Sequence, residues 1–310
     1  MRKRIFFAAT LSLLVASTAH AEDCSLKLVA SYDMVASDSV VAISMVMAGK
    51  PRYVTLDTGS FTNWVTQKFV DDDRLETHDI TAMKIYGAHT RAEKYVIVPS
   101  VDIGLFHQPA SDFLVEPMKD TGELSAALGN NALEQFDIEF DFAGRKVKFF
   151  SQDHCEGQVV YWTRAYTVLP FHMPDQTIHI EMTLDGQDLD TAFDTGTSMT
   201  YLNERVLVGT FGRDTSSEKE ITLYGRKFHS APFKSLSIGG ITFPNPSLLV
   251  MQDKMRELAK EDVPVKDQNQ AGVTLTHFPH LLLGLDAMRH LHFYIAYKER
   301  KIYVSAADAH

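Results

Sequence analysis

The chain of 310 residues lacks the features that mark several large functional classes. Its 30 Lys and Arg stand against 40 Asp and Glu, a formal net charge of −10, and nowhere do the basic residues form a run. A nucleic-acid groove needs such a basic stripe, so nucleic acid is not expected as a partner. Beyond the N-terminus no apolar stretch is long enough to cross a bilayer as a helix. There is no Gly-x-Ser-x-Gly elbow, and nothing around a cysteine suggests a nucleophile. His277, His280, His290 and His292 lie close in sequence but lack the spacing of a zinc site, so they read as solvated or hydrogen-bonded structural residues. Neither a metal nor an organic cofactor is expected. The acidic run Asp71-Asp72-Asp73 reads as a solvated turn.

Cysteine is equally scarce, with only Cys24 and Cys155. The N-terminus supplies their context. Met1-Arg2-Lys3-Arg4 is basic, Ile5 to Ala16 is apolar, and Ala19-His20-Ala21 is a small-x-small cleavage site. This is the pattern of a secretory signal peptide over residues 1–21 rather than of an uncleaved anchor. The expected location is periplasmic or secreted, with no stable membrane insertion after cleavage. In an exported chain an even pair of cysteines favours a disulfide over two free thiols.

What the sequence does contain is a repeat. Asp-Thr-Gly occurs as Leu56-Asp57-Thr58-Gly59-Ser60 and again as Phe193-Asp194-Thr195-Gly196-Thr197-Ser198. In each copy a glycine, Gly49 or Gly186, lies eight residues before the aspartate, and alternating apolar residues flank it, the pattern of strand, turn and strand. Downstream, Tyr86-Gly87 and Tyr224-Gly225 correspond, as do Val101-Asp102-Ile103-Gly104 and Leu236-Ser237-Ile238-Gly239. Each half ends alike. Ala127-Leu128-Gly129 leads through a helix-like Asn130 to Gln135 into strands at 136–140 and 146–150, and Leu282-Leu283-Gly284 leads through Asp286 to His290 into strands at 293–297 and 301–305. The second half carries about 20 extra residues between Val250 and Leu282, either a surface loop or a lid. The spacing predicts an all-β protein of two lobes related by a pseudo-twofold axis, with residues 22–158 in the first lobe and 159–310 in the second. Symmetry-equivalent turns meet at such an axis, so the two Asp-Thr-Gly turns are expected face to face.

Two close carboxylates cannot both ionise near neutral pH, because each raises the pKa of the other. One can then accept a proton from water while the other donates to the carbonyl oxygen of an amide. The threonine hydroxyls can bridge the two turns, the glycines permit close backbone approach, and Ser60 and Thr197 can hydrogen-bond an outer carboxylate oxygen.

Over nearly the whole chain after residue 21 these motifs resemble the pepsin/retropepsin-type aspartic proteases, including Trp64 seven residues after Asp57 and the two apolar-apolar-Gly elements. The resemblance implies a bilobal pepsin-like fold, Asp57 and Asp194 as the catalytic pair, and Thr58, Gly59, Ser60, Thr195, Gly196 and Thr197 as its support. It makes Tyr86 the flap tyrosine, in position to hydrogen-bond Trp64, with Gly87 beside it and Tyr224 and Gly225 as their counterparts. It implies a monomeric endopeptidase acting on peptides or proteins. Asp57 lies 36 residues after Ala21, too close for an inhibitory pro-segment, so the enzyme is expected to be active on folding. The competing expectation is a peptide-binding or inhibitory module with the same fold. The departures are the aspartate spacing of 137 residues, shorter than in typical pepsins, and Ala88-His89 where the flap would have a second glycine.

Overall fold

A computed structural model of the chain describes residues 24–36, 40–81, 85–86, 91–116, 123–223, 226–251 and 279–307. The proposed signal peptide, Gly87, Tyr224, Gly225 and the extra segment between Met251 and Pro279 lie outside the described residues.

Each half contains a hairpin with a two-residue turn. Val41–Met47 turns through Ala48-Gly49 into Lys50–Leu56, and His179–Leu184 turns through Asp185-Gly186 into Gln187–Phe193. Both turn residues have positive φ in each hairpin, +50° and +74° in the first and +46° and +83° in the second. That conformation matches the right-handed twist of the flanking strands, and glycine adopts it without a Cβ penalty. The burial of Val41–Met47 alternates toward its end, with Met45 and Met47 buried and Ser44 and Val46 exposed, so one face packs into the lobe.

The strand ending at the Leu-Gly element then inserts between two earlier ones. Leu124–Leu128 pairs parallel with Lys50–Leu56 and antiparallel with Trp64–Thr66. Leu281–Leu283 pairs parallel with Gln187–Phe193 and antiparallel with Tyr201–Asn203. This ψ-shaped crossing occurs in both halves, and it places the C-terminal end of each aspartate-bearing strand beside a Leu-Gly turn.

A six-stranded layer joins the halves in the order Thr167–Pro170, Lys301–Ala306, Leu291–Ala296, Asp137–Asp141, Lys146–Phe150, Leu28–Ala36. At its centre Ile138 pairs with Ile295, Glu139 with Tyr294 and Phe140 with Phe293. The repeat offset of 155 maps Glu139 onto Tyr294, so the paired residues are each other's equivalents. The pseudo-twofold axis therefore passes between them. Ile138, Phe140, Phe293 and Ile295 face the main core, where Phe140 and Phe293 stack at 4.9 Å and Phe193 meets Phe293 edge-on at 5.0 Å.

The opposite face of this layer carries buried Asp137 and Glu139, covered by the segment after Ser151. Glu139 accepts from Lys148 Nζ at 2.8 Å and from Tyr161 Oη at 2.6 Å and contacts His292 Nε2 at 3.1 Å, and Trp162 stacks on the His292 ring at 4.1 Å. Asp137 accepts from Tyr297 N at 3.0 Å and contacts His154 Nε2 at 2.6 Å. The covering segment is anchored by the Cys24–Cys155 disulfide, which closes a separation of 131 residues. The bond expected from the even cysteine count is formed. Among the described residues no helix is long and apolar enough to cross a membrane.

Asp71-Asp72-Asp73 is not the solvated turn its charge suggested. It ends a helix, Gln67–Asp73, capped by Thr66, whose Oγ1 accepts from Phe69 N. Asp73 is nearly buried because Arg52 reaches it at 2.7 Å, and Lys68 pairs with Asp72 one helical turn on.

Candidate active site

Asp57 and Asp194 each follow the buried end of a strand, and each backbone N–H is captured by the neighbouring inserted strand. Asp57 N donates to Leu128 O at 2.8 Å and Asp194 N to Leu283 O at 3.1 Å. The turns that follow are cross-linked reciprocally. Thr58 Oγ1 donates to Phe193 O and Thr195 Oγ1 to Leu56 O, both at 2.5 Å. Thr195 N donates to Thr58 Oγ1 at 3.1 Å, and Thr58 N to Thr195 Oγ1 at 3.2 Å. Both threonines are buried, so each hydroxyl that donates across the axis and also accepts from the opposite turn meets its own desolvation cost.

The glycines complete the approach. A Cβ on Gly59 would fall inside the carboxyl group of Asp194, and one on Gly196 inside that of Asp57. Each motif's glycine thus lies against the other motif's carboxylate, which places the two aspartates face to face. Each glycine N–H also serves its own aspartate, Gly59 N to Asp57 Oδ1 at 3.0 Å and Gly196 N to Asp194 Oδ1 at 2.8 Å.

Both carboxyls remain partly open to solvent while the threonines beneath them are buried. Burial pushes the Asp57 carboxyl well above the usual carboxylate range, reinforced by the charge of Asp194 and a hydrogen bond with it, against the N–H groups of Gly59 and Ser60. Burial raises Asp194 as well, opposed by the Gly196 N–H, the Asp57 hydrogen bond and the N–H groups of Gly59 and Thr197. The pair as a unit therefore retains a proton that a lone carboxyl would release. Such a pair offers one basic oxygen and one acidic proton to the same small volume.

Ser60 is placed differently from its expected role. Its hydroxyl hydrogen goes to Thr62 O at 2.8 Å, and its oxygen accepts from Trp64 Nε1 at 3.1 Å. A hydroxyl has one hydrogen, so Asp57 receives the Ser60 backbone N–H instead, and Asp194 receives the backbone N–H of Thr197. The indole N–H of Trp64 donates to Ser60 Oγ; the Tyr86 side chain, its expected partner, lies outside the described residues. Tyr86 lies in a short ribbon, Ile85–Tyr86, whose backbone pairs with Arg91–Ala92.

Several supporting residues escaped the motif reading. Asn63 Oδ1 accepts from Gly129 N at 3.0 Å, and its repeat equivalent Thr200 accepts from Gly284 N at 3.1 Å. Thr200 Oγ1 in turn donates to Asp286 Oδ1 at 2.6 Å. The shared offset of 137 from Asp57 and Asp194 is the signal that marks Asn63 and Thr200. Asn130 has no such partner, since Leu285 takes its place in the second half. Its Nδ2 donates to Thr58 O and to Gln176 O, each at 2.8 Å, and its Oδ1 accepts from Tyr297 Oη at 2.8 Å.

Of the clustered histidines, His277 lies outside the described residues. His292 is the structural residue already described, and the His290 ring lies 6.4 Å from that of Phe243. His280 Nδ1 accepts from Asp190 N at 3.3 Å.

No protein-family model and no curated protein sequence matches the chain. Solved structures do. The aspartic proteinase from Irpex lacteus aligns over 90% of this chain and 97% of its own, with a TM-score of 0.52 and 10% identity. Basic 7S globulin from soybean aligns over 92% and 96%, with a TM-score of 0.49 and 10% identity. At such identity the first likeness shows the fold, a bilobal pepsin-like β architecture.

Proposed function

We propose that the chain is an aspartic endopeptidase with Asp57 and Asp194 as its catalytic pair. The observation that carries this reading is the reciprocal packing of Gly59 on Asp194 and Gly196 on Asp57. It brings two carboxyls into one volume open to solvent on one side, with their proton affinity raised together. In the reaction the ionised carboxylate takes a proton from water as the water oxygen bonds to the carbonyl carbon of a peptide. The other carboxyl gives its proton to the carbonyl oxygen. The resulting gem-diol collapses as the carboxyl that took the water proton gives it to the amide nitrogen, a diol hydroxyl returns its proton to the other carboxylate, and the carbon–nitrogen bond breaks. The pair then holds one proton again, and no covalent enzyme intermediate forms. The two lobes divide near residues 158 and 159, and the protein works as an exported monomer. The disulfide supports an oxidising compartment.

The test is incubation of the purified protein with a diverse peptide mixture over a range of pH. New termini are expected, blocked by a statine-type mimic of the tetrahedral species. Asp57→Asn and Asp194→Asn are each expected to lower turnover by at least about 1,000-fold while leaving the circular dichroism spectrum unchanged. Unchanged turnover in either variant overturns the mechanism, and binding of peptides without cleavage makes the protein a binding module.

A further inference from the structure

A group of side chains away from the aspartate pair has the composition of a transition-metal site. His172 and His179 exchange both backbone hydrogen bonds, His172 N to His179 O at 3.0 Å and His179 N to His172 O at 2.9 Å. Such a pair projects its side chains from one face, and the two rings lie 5.6 Å apart. On the adjoining strand His179 pairs with Ala192, so Asp190, two residues earlier, stands diagonally on that same face.

The donor atoms converge. His179 Nδ1 lies 2.9 Å from Asp190 Oδ2, and His172 Nε2 lies 3.5 Å from Asp190 Oδ1. All three ligand atoms fall within 4.8 Å of one another. A tetrahedral zinc ion with bonds of about 2.0 Å separates its ligand atoms by about 3.3 Å, and each histidine nitrogen lies near that distance from one oxygen of Asp190.

The surroundings of His179 suit a ligand. Its Nε2 lies 3.1 Å from Thr177 Oγ1, which has Pro174 O as an acceptor, also at 3.1 Å. In the tautomer that donates from Nε2 to this hydroxyl oxygen, Nδ1 presents its lone pair on the side of Asp190. A ligating histidine whose other nitrogen donates to an oxygen is the usual arrangement in metal sites. His179 is almost fully buried, whereas His172 is exposed and leaves an entry path from solvent.

Among the described residues the other group of similar composition, Glu139, Asp141 and His292, is unsuited. The Lys148 ammonium lies on Glu139 at 2.8 Å and already supplies the positive charge there.

We propose that His172, His179 and Asp190 bind a divalent transition-metal ion of the zinc class, with water in the remaining position. Two imidazoles and one carboxylate without thiolate favour zinc and its neighbours over magnesium or calcium. The set differs from the four histidines whose spacing suggested no metal. His172 follows Thr167–Pro170 of the joining layer, and Asp190 lies four residues before Asp194. The ion would staple the connection between the lobes to the strand that carries the second aspartate.

The test uses tag-free full-length protein, freed of metal by chelator and titrated calorimetrically with Zn2+ alone at about pH 7.5, with Mg2+ and Ca2+ as comparisons. One equivalent of Zn2+ is expected to bind with a Kd below about 10 μM and to raise the melting midpoint by roughly 5 °C at a hundredfold excess over Kd. His172→Ala, at an exposed position, is expected to weaken binding at least about 10-fold. Bound Co2+ should show the absorption of tetrahedral coordination in the native protein and lose it in His172→Ala. Absence of saturable binding up to about 100 μM Zn2+, or equal binding by His172→Ala, overturns the proposal.

Discussion

Replacing Asn130 by Leu tests the polar support beneath the first aspartate turn. Asn130 is buried, and every one of its side-chain bonds to Thr58 O, Gln176 O and Tyr297 Oη measures 2.8 Å. Leucine is the residue at the equivalent position of the second half, Leu285, so the shape suits the site class while the polar atoms vanish. Three groups then lose a partner, of which Gln176 is exposed and can turn to water. A buried unpaired group costs about 1–3 kcal/mol, and Thr58 O retains only a long contact from Ile178 N at 3.5 Å. The expected destabilisation from the two buried groups is about 2–6 kcal/mol, a large part of the roughly 5–15 kcal/mol typical of a folded protein. Tyr297→Phe removes the hydroxyl from the same set and should cost about 1–2 kcal/mol alone. In Asn130→Leu/Tyr297→Phe no tyrosine hydroxyl is left stranded, so the double variant should be more stable than the sum of the singles by about 1 kcal/mol or more. Urea unfolding followed by tryptophan fluorescence measures all three. A cost below about 1 kcal/mol for Asn130→Leu, or strict additivity, would show that this network is not holding the turn.

Removing the disulfide with Cys24→Ser/Cys155→Ser should destabilise the protein by about 5 kcal/mol in the chain-entropy model, and a melting midpoint insensitive to reductant would contradict this. Gly196→Ala places a Cβ within the Asp57 carboxyl, so peptide hydrolysis should fall about 100-fold as the pair is forced apart; retained activity would refute the packing argument. Stability should also depend on pH through His154 and Asp137. Burial disfavours the charged His154 ring, but the hydrogen bond and charge of Asp137 outweigh it and raise the pKa, with Glu299 3.6 Å away adding to the effect. Burial raises Asp137 too, against the His154 bond. Partners in a simple ion pair would shift in opposite directions; here the burial of Asp137 outweighs the His154 bond, so both values rise. Both raised values have one sign: the stabilisation is complete below each unfolded pKa and is lost as pH rises through the folded one. For His154 that loss begins above about pH 6.5 and extends upward, and His154→Gln should flatten it; an unchanged slope in urea midpoints against pH would count against the assignment.

The fold was legible because the chain states it twice. The repeated glycine eight residues before each aspartate and the repeated Leu-Gly element correspond to hairpins and inserted strands in both halves. Strand positions read as 136–140 and 301–305 appear as Asp137–Asp141 and Lys301–Ala306. Helices were less visible. Gln67–Asp73 carries three consecutive acids and no acidic residue in its first turn, so charge pointed to a turn, whereas Thr66 capping and Arg52 from another strand make it a helix. The face of the joining layer that buries Asp137 and Glu139 had no sequence mark either, since carboxylates alternating with apolar residues normally indicate solvent.

Adjacent residues encode turn chemistry and side-chain period, and these are local properties. They therefore announced two β lobes and two Asp-Thr-Gly turns that symmetry would bring together. Which hydroxyl serves which acceptor is a matter of distance between residues far apart in the chain, and only folding could assign it. Ser60 turns to Thr62 and Trp64, Thr58 and Thr195 cross the axis to strands 135 and 139 residues away, and Asn130 meets Tyr297 across 167. Hydrogen bonds of that range leave no periodicity to read, because each is decided by the packing of the layer on which both ends rest.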